Sequence, residues 1–267
     1  MSKVLDALNN TYNEFYYVNK DPRATGKILL ESPPTTIMLL ILTYLAVISV
    51  GPKIMKKRKA VELKGILVVY NLVQVIVNFA YTTMLVIVMK NRGQPLIGCH
   101  KISYSDQVSW NFFYGYFLIK ILDFTDTILI ILRKSERQLT LLHCYHHISI
   151  LIVAYFFPMW FTSAIPLFGT FLNSLIHLFM YSYYLTSAMF PKWQKLKWIK
   201  IILTKLQILQ FIVGVALIEY YYWTNPSCHV PNFFHYFMIS YLSIFIYMFV
   251  SFYRKTYFKN LDKQKLK

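Results

Sequence analysis

With 57% hydrophobic and only 15% charged side chains, this chain of 267 residues suits an apolar solvent, since soluble domains usually carry about 25% charge. Its formal net charge of +17 fits either nucleic-acid binding or basic loops flanking membrane spans. Lys and Arg fall mostly between apolar stretches and not within one continuous domain, which argues against nucleic acid and against a soluble fold.

In chain order, the first 33 residues are polar, carry acidic residues and show no cleavable signal peptide. They hold Asn9-Asn10-Thr11, an N-glycosylation sequon. A span needs about 20 largely apolar residues. Hydropathy predicts spans at roughly 34–51, 65–89, 111–132, 139–158, 164–187, 200–223 and 233–253, with Pro34, Pro52, Pro95, Pro158, Pro191 and Pro226 at or near their ends. The predicted fold class is therefore an all-α polytopic membrane protein. It has seven transmembrane helices in one domain, 1–267, without internal repeats.

Basic residues orient it. Segments 51–64, 133–138, 188–200 and the tail from Arg254 hold most of the 28 Lys and Arg. The positive-inside rule puts these in the cytosol, with residues 1–33 on the other side and the basic tail 254–267 inside. Cys99 and Cys228 then share the non-cytosolic side, where either a disulfide or two free thiols fits. Lys263 and Lys265 read either as a cytosolic dibasic retrieval signal for the endoplasmic reticulum or as a solvated basic tail.

Ionisable groups inside spans are costly and mark function by default. The third span carries Lys120, Asp123 and Asp126 at three-residue steps, on one helical face. They form either a neutralising structural pair or a device that positions substrate or a histidine. The fourth opens with His143, His146 and His147, whose spacing puts three imidazoles on one face. Cys144 points about 100° away from His143. The fifth span aligns Asn173, His177, Tyr181 and Tyr184. The sixth aligns Thr204, Gln207 and Gln210, which serve either a site or interhelical hydrogen bonding. Asn71, Gln74 and Asn78 on the second show similar spacing with weaker chemistry. These polar faces are expected to line a common interior cavity.

Clustered histidines on membrane helices suggest either iron ligation, as in desaturases and hydroxylases, or imidazole acid–base and nucleophilic catalysis. Such di-iron sites use about eight ligands, and the chain has seven histidines, of which His100, His229 and His235 lie toward the non-cytosolic side. No metal is expected. A seven-span receptor does not need inward-facing histidines, and a transporter would more often carry an internal repeat.

Four motifs in order carry a resemblance over essentially the whole chain. They are Lys120–Thr127, the H-C-Y-H-H box at 143–147, Asn173–Tyr184, and Thr204-x-x-Gln207-x-x-Gln210. On them the chain resembles the very-long-chain fatty acid elongases (the ELO family), with Asp123 where many members have Glu. The resemblance implies an acyltransferase of the endoplasmic reticulum membrane. It would condense acyl-CoA with malonyl-CoA to a 3-oxoacyl-CoA and need no cofactor. His146 is expected to carry the acyl group, with His143 and His147 orienting it or handling protons. His177 and Asn173 would hydrogen-bond the malonyl thioester, and Asp123 or Asp126 would fix a histidine tautomer. Lys120, Asp123, Asp126, Asn173, Tyr181, Tyr184, Thr204, Gln207 and Gln210 are the expected substrate-binding set, and an apolar interior tunnel would hold the acyl tail. The sequence decides neither a homodimer nor contacts with other enzymes of the cycle.

Overall fold

The computed structural model describes residues 6, 20–31, 35–99, 102–160, 164–225 and 232–258. Asn9, His100, Cys228, His229 and the C-terminal lysine pair lie outside the described residues. Among those described there are eight α-helices and no strand. They are α1 Thr35–Lys56, α2 Lys64–Asn91, α3 Gln107–Leu122, α4 Phe124–Leu132, α5 Leu141–Trp160, α6 Ile165–Met189, α7 Lys197–Thr224 and α8 Asn232–Tyr253. Six are long and apolar enough to cross a bilayer: α1, α2, α5, α6, α7, and α8 with its continuation to Phe258.

The third expected span is broken into α3 and α4, of 16 and 9 residues. At 1.5 Å per residue neither reaches across a hydrocarbon core of about 30 Å alone. At the break, the Asp126 N–H donates to the Asp123 carbonyl at 3.1 Å, a three-residue step that tightens the turn. Two of the prolines expected at or near span ends lie just inside helix C-termini, Pro52 in α1 and Pro158 in α5, where each removes one N–H from the helix close to its end.

The helices pack as two units. The first holds α1, α3, α4 and α5. There α3 lies along α5, and α1 against α4 and α5. Gly51 permits a close approach, since a Cβ there would meet Ile131 Cγ2 at 3.1 Å. Asp106 caps α3 by accepting the Ser109 N–H at 3.0 Å. The short turn Pro22–Ala24 is clamped onto that end. Arg23 pairs with Asp21 through Nη2–Oδ2 at 2.6 Å and donates to the Asp106 carbonyl at 2.7 Å. Asp21 N–H donates to the Met159 carbonyl at 2.8 Å.

The second unit holds α2, α6, α7 and α8. Its most extensive pairing is α2 with α6, followed by α7 with α8. Gly214 admits Leu242 to 3.1 Å of where a Cβ would stand, the small-residue contact that brings membrane helices close. Phe211 stacks on Phe245 at 5.0 Å. Only Thr204 and Phe211 of α7 are buried; its outward Ile202, Leu209 and Ile212 suit lipid.

Candidate active site

In the first unit, polar chemistry collects where α1, α3, α4 and α5 meet. Lys120 and Asp123 have no exposed side-chain surface, and Nζ donates to Oδ2 at 2.8 Å. The ammonium also lies 4.9 Å from the Tyr116 ring, whose face attracts a cation. Asp123 is therefore paired with a lysine. Asp126 is half-buried in the first turn of α4, where the helix dipole favours a carboxylate.

The three histidines come together as their spacing requires. Ring centroids of His143 and His147 are 4.3 Å apart, and those of His146 and His147 5.4 Å. His147 is buried against Tyr44 and Phe124, each 6.1 Å away, while His143 and His146 are partly accessible. The group at His143 Nε2 is the Thr127 hydroxyl, at 2.8 Å. Thr127 is in turn 3.0 Å from the Tyr44 hydroxyl, in a buried pair between α1 and α4. Cys144, which helical geometry turns from the imidazole face, is half-buried.

In the second unit, Asn173, His177 and Tyr181 are buried along α6, with His177 and Tyr181 rings 5.7 Å apart. Tyr184 continues the stripe 6.0 Å beyond but is 40% exposed. Tyr70 of α2 meets Tyr181 edge-on at 6.1 Å. Behind it the amides form a chain. Gln74 Nε2 donates to the Tyr70 hydroxyl at 2.9 Å, and Asn78 Nδ2 donates to Gln74 Oε1 at 3.2 Å. Tyr81 donates to Thr170 at 2.7 Å, pinning α2 to α6. On α7, Thr204 bonds its own helix at the Lys200 carbonyl, Gln207 reaches Met180 Sδ at 3.7 Å, and Gln210 is half-buried.

The sequence alone does not single out Tyr44, the single tyrosine of α1. Asn71, Gln74 and Asn78 are all buried, and a polar residue at every third or fourth place in a span was the signal for them. Glu219, in the last turns of α7, accepts from Trp223 Nε1 at 2.9 Å and lies 3.4 Å from buried His235, which stacks on Tyr222 at 3.7 Å. Cys99 is disulfide-bonded and Cys144 is a free thiol. Among the described residues no group of three or more His, Cys, Asp or Glu is placed to hold a metal ion.

Comparison with known proteins places this arrangement in a family. Residues 29–265 match the family model described as ELO, the GNS1/SUR4 family. The chain is 34% identical over 264 residues to the very long chain fatty acid elongase 4 of Mus musculus, covering 95% of this chain and 83% of that protein. It is 35% identical over 270 residues to the very long chain fatty acid elongase 5 of Xenopus laevis, covering 98% and 88%. It is 34% identical over 277 residues to the very long chain fatty acid elongase 2 of Mus musculus, covering 98% and 90%. The four motifs all fall inside the matched span, and the chain belongs to the ELO family.

Proposed function

We propose that this protein is a 3-oxoacyl-CoA synthase of fatty acid elongation. It condenses a long-chain acyl-CoA with malonyl-CoA, releasing CO2 and CoA and lengthening the chain by two carbons. The observation that carries the reading is the cluster of three imidazoles at the start of α5, in a family whose named members are elongases.

The chemistry follows from what such a cluster supplies. An acyl group must leave CoA for a carbon nucleophile. Malonyl-CoA provides that nucleophile as an enolate when its carboxylate departs as CO2, so no cofactor is required. His146 attacks the acyl thioester, the CoA thiolate leaves, and an acyl-imidazole forms. The enolate then attacks that carbonyl, forming the carbon–carbon bond and returning the imidazole. His143 and His147 orient His146 and handle protons, while His177 and Asn173 hydrogen-bond the malonyl thioester. The Lys120–Asp123 pair holds the bend beneath the cluster, and Asp126 sits beside it. Tyr181, Tyr184, Thr204, Gln207 and Gln210 contact substrate. Apolar side chains beyond them form the acyl tunnel.

The whole chain acts as one domain of seven crossings, with α3 and α4 together making the third. The C-terminus is cytosolic, and the membrane is that of the endoplasmic reticulum. The histidine box follows the basic segment 133–138, which brings it to the side where CoA thioesters arrive.

Microsomes expressing the chain, given labelled malonyl-CoA and a panel of acyl-CoAs, should place label in acyl chains two carbons longer. No label with any acyl-CoA overturns the reading. Purified protein given acyl-CoA alone should release free CoA and retain a covalent acyl group. If His146→Ala still forms that adduct, the nucleophile is another residue.

A further inference from the structure

We infer that Tyr44 and Thr127 are positioning residues, a two-hydroxyl relay that fixes the tautomer and orientation of His143. This rests on the elongase reading for its consequence, but its geometry stands within one unit of the fold. Tyr44 comes from α1, Thr127 from α4 and His143 from α5, so the relay ties three helices at one point. The steps are 3.0 Å from phenol to Thr127 Oγ1 and 2.8 Å from Oγ1 to His143 Nε2, and both hydroxyl-bearing residues are buried.

Donor and acceptor chemistry orders the protons. A threonine hydroxyl has one proton and two lone pairs, so it can accept from one neighbour while donating to the other. The Tyr44 phenol has one proton to give, and Thr127 Oγ1 is its partner. Tyr44 then donates to Thr127, Thr127 donates to Nε2, and the imidazole proton resides on Nδ1. The opposite order would have Nε2–H donate to Thr127 and Thr127 to Tyr44, which leaves the buried phenol proton without an acceptor among the described residues. The relay therefore presents His143 to the reaction as an Nδ1–H donor. Its ring, 4.3 Å from that of His147, is held against rotation. A hydroxyl performs here the service a carboxylate often performs for catalytic histidines, without adding a charge inside the membrane.

The test uses the full chain in detergent, with Thr127→Val, Thr127→Ser, Tyr44→Phe and the Tyr44→Phe/Thr127→Val double variant. Loss of one hydrogen bond predicts a kcat for elongation about tenfold lower in Thr127→Val, with both KM values unchanged. Thr127→Ser should restore most of that loss. Tyr44→Phe should cost a few-fold by the same reasoning, and the double variant should be no slower than Thr127→Val alone, because both act through one imidazole. Nitrogen-15 histidine spectra, with the His143 signals assigned by their disappearance in His143→Gln, should show the Nδ1–H form in wild type. They should show a shift toward Nε2–H in Thr127→Val. Thr127→Val at wild-type kcat, failure of Ser to rescue, multiplying effects in the double variant, or an unchanged tautomer each overturns the relay. If Thr127→Val does not fold, Thr127→Ser and Tyr44→Phe keep the packing and carry the measurement. A wild-type protein that makes no 3-oxoacyl product overturns the elongase reading instead, and the spectra still decide the relay.

Discussion

The two units solve the same problem, polar groups inside an apolar protein, with different chemistry. The first encloses charge: an ammonium and a carboxylate with no exposed surface, beside three imidazoles and two hydroxyls. The second encloses neutral groups: amides and phenols in a hydrogen-bonded chain along α2, facing buried Asn173, His177 and Tyr181 on α6. Unpaired charge in a low-dielectric interior is far costlier than an unpaired amide. The comparison teaches that the first unit should be brittle and reactive, while the second should tolerate change and act mainly through shape and hydrogen bonding.

The largest expected effect tests reactivity. His146→Ala should lower elongation about a thousandfold or more and abolish the acyl adduct, since nothing else would carry the acyl group. Melting in detergent should change little, because His146 is partly accessible. Comparable losses from Gln74→Leu in the second unit would break the comparison outright.

Brittleness comes next. Lys120→Ala or Asp123→Ala leaves the other ion buried without its 2.8 Å partner and should cost about 3–5 kcal/mol. The double variant Lys120→Met/Asp123→Leu should recover most of that stability, because apolar residues of similar volume replace buried ion pairs at little cost. Thermal melts of the singles and the double, measured side by side, check both statements. Singles that melt with wild type would mean water or another group already compensates the pair.

Much of this was legible before any coordinates. Hydropathy placed the six long helices to within a few residues, because a bilayer span is set by a length and a solvent that sequence records directly. The imidazole cluster was legible for a similar reason: residues three and four apart on a helix must share a face. Thr127 was visible only as part of a motif, and Tyr44 not at all. Their meeting depends on how α1 packs against α4, and periodicity along one helix says nothing of its neighbour. The break at Asp123 escaped as well. Lys120, Asp123 and Asp126 keep helical spacing through it, so the pattern reads as one uninterrupted rod. The α2 amides show in the spacing along their helix, whereas their burial is a tertiary fact that the spacing does not carry.

Smaller effects sharpen the second half of the comparison. Gln74→Leu removes the link between the Tyr70 hydroxyl and Asn78, two bonds at 2.9 and 3.2 Å. About 1–2 kcal/mol of stability should go with it, with kcat for elongation retained within a few-fold.

Tyr81→Phe should have the smallest effect. The phenol is buried and donates to Thr170 Oγ1 at 2.7 Å, so it looks like a strong fastening between α2 and α6. Yet Thr170 already donates its own proton to the Leu167 carbonyl at 2.8 Å, and its oxygen loses only an incoming bond when the phenol goes. No donor is stranded, the ring remains to pack, and interhelical hydrogen bonds in membranes average about 0.6 kcal/mol. The melt in detergent should therefore fall by only a degree or two. Thr170→Val is the complementary variant: it keeps the volume but removes the 2.7 Å acceptor of the buried Tyr81 phenol, and the loss should be larger, about 1–3 kcal/mol. If the order is reversed, with Tyr81→Phe the more damaging, then α2 and α6 are held by the phenol as an anchor and not by their shared apolar surface, and the second unit is as brittle as the first.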